Sequence, residues 1–140
     1  LDRSGNMLFT IPVQFKAYVV TPDETVRAFG SAGSAPGDFG VVAGIAASDD
    51  GHFVIADKLR RVVMVFDSSF RLVTEFAGSS RWALSRPTDL ALGNGGKIYV
   101  TQPQHRGVAV LALSAGSDAE GSDESTTFDI SRNSSVRNQN

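Results

Sequence analysis

Arg60, Arg61, Arg81, Trp82, Arg86, His105 and Arg106 are the side chains of this sequence best suited to gripping another molecule. Guanidinium groups present planar donor forks to carboxylates or phosphates, and an indole supplies a large apolar anchor. Together they fit a contact surface for an anion, a peptide or a nucleic acid. Charges that only keep a solvated loop soluble are the plainer reading of the same residues. Other chemistry is poorly supplied. His52 and His105 are the only histidines, whereas a catalytic zinc ion takes three protein ligands. Asp49-Asp50-Gly51 offers too few oxygens for calcium and reads as a tight turn. No serine stands in a Gly-x-Ser-x-Gly setting, and Gly30-Ser31-Ala32-Gly33-Ser34 lacks the Gly-Lys-Ser/Thr ending of a phosphate loop. Asp57 and Asp89 could approach each other as a carboxylate pair, but Asp57 more simply ends a strand by accepting nearby backbone N–H groups. No metal or other cofactor is called for.

The elements that must position these residues repeat. Ser4-Gly5-Asn6-Met7-Leu8-Phe9, Asp50-Gly51-His52-Phe53-Val54-Ile55 and Gly95-Gly96-Lys97-Ile98-Tyr99-Val100 place glycines 46 and 45 residues apart. A second apolar run follows each (Phe15–Val20, Val62–Phe66, Val108–Leu113), and a third follows the first two (Val26–Phe29, Leu72–Phe76). The runs are short, rich in Val, Phe and Ile, and bounded by Gly, Asp, Ser and Pro, which is the pattern of strands and not of helices. Four strands every 40-odd residues describe a β-propeller blade. The sequence therefore predicts an all-β chain: a partial β-propeller of four-stranded antiparallel blades, about two and a half of them, over residues 1–113. Blades fall near 4–32, 42–78 and 87–113. The first lacks its innermost strand, the second is complete at about 42–47, 52–57, 61–67 and 71–76, and the third lacks a clear outermost strand.

Pro36-Gly37-Asp38-Phe39, the stretch from Gly44 to Asp57 with its Asp-Asp-Gly turn and Ala-Asp ending, and Val65-Phe66-Asp67 resemble the NHL-repeat family of β-propellers. Pro87-Thr88-Asp89-Leu90-Ala91 followed by Gly96-Lys97-Ile98-Tyr99-Val100 is similar to the same pattern. After its Ala-Asp the family carries Asn at the third position and Arg at the fifth; this chain has Arg60 and Val62, then His105 and Gly107. The resemblance implies the fold; the absence of a catalytic constellation and a mixed, nearly neutral loop face point to a non-catalytic binding or scaffolding module that contacts a protein, peptide or other ligand through that face. Alternatives that the resemblance brings are a fragment of a metal-dependent lyase whose site lies mainly in other blades, and an RNA-binding propeller. In up-and-down blades the loops after strands two and four share a face. Lys58, Arg60, Arg61, His105 and Arg106 therefore join the connections 30–40 and 78–86.

Charge and composition narrow the choice. Residues 114–140 hold five acids against two arginines, a local −3 that leaves the first 113 residues at +1. A nearly neutral body argues against bulk nucleic-acid binding, which wants a dense basic face. That Ser-, Asp- and Asn-rich tail reads as mostly disordered, with Thr126–Ile130 the one place for a short strand. The chain has no cysteine, and its longest run without a polar side chain is nine residues, Phe39–Ala47, too short to span a bilayer. Neither a signal-peptide pattern nor an initiator Met opens it. Because propellers close with about four to eight blades, the expectation is a C-terminal piece of a longer propeller, with ring closure by several copies as the alternative.

Overall fold

The structure, a computed structural model, describes residues 1–79, 82–103, 107–112, 114–115 and 128–129. Three antiparallel sheets follow one another along the chain. The first is β1 (Met7–Ile11), β2 (Lys16–Val20) and β3 (Val26–Phe29). The second is β4 (Val42–Ala47), β5 (Phe53–Asp57), β6 (Val62–Phe66) and β7 (Leu72–Phe76), paired in that order. A two-residue pairing of β8 (Gly78–Ser79) with β9 (Trp82–Ala83) precedes the third sheet, which is β10 (Asp89–Gly93), β11 (Lys97–Gln102) and β12 (Gly107–Ala112). Beyond it, β13 (Ser114–Ala115) pairs with β14 (Phe128–Asp129). The rest of the tail that the sequence reads as disordered lies outside the described residues.

The strands form where the apolar runs fall. In β5 and β6 every residue is buried, because both faces of the middle sheet are covered. Phe53, Ile55, Val62, Met64 and Phe66 face the first sheet and meet Ala17, Val19, Phe29 and Phe39. Val54, Ala56, Val63 and Val65 face the third and meet Leu84, Leu90, Ile98, Val100 and Leu111. A strand buried on two sides has no polar alternation to show, which explains why these segments read as continuous apolar runs. Phe29 anchors the first of these seams: its ring stacks on Phe70 at 4.3 Å and meets Phe66 edge-on at 5.2 Å.

β1 and β10 both lie against β4. The approach of β4 to β10 depends on Gly44, where an added Cβ would stand 2.8–2.9 Å from Asp89 Oδ1, Asp89 Cα and Leu90 N. The repeat aligns β1 with β5 and β11, so the first sheet holds the second to fourth strands of its blade, as its sequence implies.

Four of the turns share one construction. Asp2, Thr21, Ser48 and Asp67 each donate the backbone N–H to the carbonyl four residues on, over 2.8–3.0 Å, and accept from the N–H three residues on. The residue in the fourth place, Gly5, Glu24, Gly51 or Phe70, has φ between 63° and 85°. This is a type I turn completed by a left-handed residue. Valine is poorly suited to that conformation because of its branched Cβ. Gly51→Val is therefore expected to lower the melting temperature more than His52→Ala does, by the equivalent of about 1–2 kcal/mol for the strained residue. Thermal melts of the two variants check this, and equal melting temperatures would reject the turn assignment.

Candidate functional site

The ends of β1, β5 and β11, with the described residues that lead into β4 and β10, form one end of the sheets. At that end Asp57 is fully buried, and its carboxylate accepts four backbone N–H groups: Gly40 at 2.6 Å, Val41 at 3.0 Å, Leu59 at 3.0 Å and Arg60 at 2.9 Å. One side chain thus closes its own loop and pins the preceding connection. Gln102, the equivalent residue of the third sheet, is also buried and accepts the Ser85 N–H at 2.8 Å. The expected strand-ending role of Asp57 is what the geometry shows. Asp89 sits against Gly44 and accepts the N–H of Leu90 at 2.8 Å.

Arg60 points inward. Its guanidinium donates to both Glu75 carboxylate oxygens at 2.7 and 2.8 Å, to the Asp38 carbonyl at 2.6 Å and to the Ser34 carbonyl at 3.3 Å. Only 12% of its side chain is exposed. Glu75 also accepts the Gly37 N–H at 3.2 Å. The pair therefore ties β7, the 58–61 loop and the 30–41 connection together. A bidentate, mostly buried pair with its remaining groups satisfied holds geometry in a way an exposed pair does not.

Of the other residues singled out from the sequence, Arg61 and Arg86 are exposed at this end. Arg81, His105 and Arg106 lie outside the described residues, and Trp82 enters the description through its backbone alone. Sequence reasoning missed Glu75 and Asp38 as partners of Arg60, and it missed Val13 and Leu59. The last two are strongly exposed aliphatic residues in the loops after β1 and β5, and aligning those loops on Ile11 and Asp57 would have paired them.

The opposite end carries the strand-one-to-two turns. A cleft of about 630 Å³ lies there, lined by Asp2, Arg3, Asp49, Asp50, His52 and Lys97 among others. Its charges are largely engaged in the turns: Asp50 with the Ser48 hydroxyl and, at 3.1 Å, with His52 Nδ1, and Asp49 with Arg3 at 2.7 Å. The Ser48 hydroxyl bond, reinforced by His52, holds the Asp50 carboxyl below its ordinary value of 3.8. The Arg71 N–H does the same for Asp67 in the β6–β7 turn, and the Thr21 hydroxyl for Asp23 in the β2–β3 turn. A depressed folded-state value means that the stabilisation is present above pH 3.8 and is lost as pH falls through the folded values. The triple variant D23N/D50N/D67N is expected to show a flatter melting temperature between pH 4 and about pH 2. Circular-dichroism melts across that range check it.

Antiparallel sheets whose inner strands adjoin and whose faces pack sheet on sheet define a partial β-propeller. Solved structures carry the same arrangement. A catalytically inactive virginiamycin B lyase from Staphylococcus aureus with quinupristin superposes with a TM-score of 0.61 at 13% identity, over 91% of this chain and 38% of that one. A streptogramin B lyase gives 0.62 at 14% identity, over 79% of this chain and 35% of that one. The selenomethionine-substituted Staphylococcus aureus lyase gives 0.61 at 13%, over 80% and 36%. This chain thus spans less than two fifths of the length of those propellers, and the likeness is one of fold. No family model matches the chain, and no curated protein sequence matches it. No helix among the described residues is long and apolar enough to cross a membrane.

Proposed function

We propose that these blades belong to a non-catalytic binding or scaffolding propeller of the NHL type, which meets a protein or peptide partner through its loop end. The observation that supports this reading is the use made of Asp57 and Arg60. Both are committed to fixing the loop backbone, so the loop end is a rigid display surface whose exposed side chains are free to touch a partner. Preorganised loops lose less entropy on binding than loose ones. Missing blades, supplied by further sequence or by other copies, complete the ring.

The test is partner capture from the source cells by the full chain, quantified by mass spectrometry. Lys58→Glu with Arg61→Glu and Arg86→Glu is expected to deplete specific partners, while Lys97→Glu at the opposite end retains them. Identical partner sets for the two variants would reject the reading. The lyase alternative stands on the fold likeness alone. Incubating the protein with quinupristin is expected to leave that compound unchanged, and its consumption would favour the alternative.

A further inference from the structure

The loops after the second strands of the first two blades are the same loop twice. Each has four residues, Pro12-Val13-Gln14-Phe15 and Lys58-Leu59-Arg60-Arg61, and each ends in a left-handed residue that is not glycine, Phe15 at φ 55° and Arg61 at φ 60°. In each, the second residue is a large aliphatic side chain turned to solvent: Val13 is 86% exposed and Leu59 67% exposed. Beside Leu59 stands Val41, 37% exposed, held there because its carbonyl accepts the Lys58 N–H at 2.8 Å and its own N–H bonds Asp57. A single exposed leucine needs no explanation. Two at one repeat position, on adjacent blades and on backbones held by internal bonds, form a pattern.

Charge selects the partner. Lys58 and Arg61 flank Leu59, both are exposed, and neither side chain makes a hydrogen bond or ion pair among the described residues. Cations around an apolar centre complement a segment that carries carboxylates around apolar side chains. We infer that the loop end of the first two blades is a docking surface for an acidic peptide segment of a partner protein, which sets one apolar side chain against Val13 and a second against Leu59 and Val41. This rests on the loop-end reading above and names the class of partner.

The experiment selects binders to the full chain from a displayed library of random 16-residue peptides, then measures a selected peptide by fluorescence anisotropy. Enriched sequences are expected to be acidic with two large apolar residues. Val13→Asp and Leu59→Asp should each weaken binding about tenfold, as interface anchors do, and their thermal melts should match the parent because both side chains are exposed. Lys58→Glu with Arg61→Glu should weaken binding and reduce its salt dependence. Neutral or basic enriched peptides, or binding indifferent to both aspartate variants, would overturn the inference. Peptides lost on Arg86→Glu but not on Val13→Asp or Leu59→Asp would overturn it while leaving the loop-end reading intact. Tighter binding of a labelled oligouridine than of any selected peptide would overturn both in favour of nucleic acid.

Discussion

Asp57→Ala is expected to cost about 3–5 kcal/mol, the upper range for a single substitution. The carboxylate lies in the interior and accepts four N–H groups from two separate stretches of chain, Gly40–Val41 and Leu59–Arg60. A methyl group there strands donors that water reaches poorly, and each unsatisfied buried group costs about 1–3 kcal/mol, relieved in part by local rearrangement. Asp57→Asn should fall between parent and alanine, because one oxygen still accepts while the amide nitrogen faces other donors. Urea titrations of the three proteins measure the series. Near-parent stability for the alanine variant would mean that the carboxylate does not hold this end of the blade.

Gly44→Ala is the second large effect, about 2–3 kcal/mol from overpacking. The added carbon would meet the backbone of Asp89 and Leu90 at 2.9 Å, and backbone, unlike the tip of a long side chain, has little room to yield. Relief requires β4 and β10 to separate, which opens the apolar layer of Val54, Leu90 and Val100 that depends on their approach. Gly44→Val should be worse still. Melting curves within half a kcal/mol of the parent would show that the two inner strands do not adjoin as described.

Much of this architecture is legible in the amino-acid sequence. The strands of the complete blade fall within a residue of their expected bounds, because buried strands must be apolar throughout and polar or glycine-containing turns bound them. The repeat at Gly5, Gly51 and Gly96 aligned equivalent strands even where the first blade begins at its second strand. The role of Asp57 was visible too, since a carboxylate at a strand end beside a tight loop has local N–H groups to accept. The partners of Arg60 were not visible. Its pairing with Glu75, fifteen residues on, depends on which face of β7 turns inward, and an arginine in a loop looks the same whether its fork points to solvent or to the next strand. Phe15 and Arg61 in left-handed conformations were hidden for a similar reason: residues other than glycine give no composition signal for that geometry. The β8–β9 pairing falls within what the sequence shows only as a long connection, its four residues being too few to show alternation.

The apolar layers of this protein lie between sheets and not within them. A run of blades therefore draws its stability from the seams, and three blades in line possess two. In a complete ring, joining the last blade to the first adds one more seam without adding a residue to any blade. The gain grows no further with blade number, so closure matters most to the smallest ring that geometry permits. For a blade at either terminus it replaces a solvent-facing sheet with a neighbour. Selection on such a chain acts on pairs of facing surfaces, and a substitution in one blade is felt first by the blade beside it.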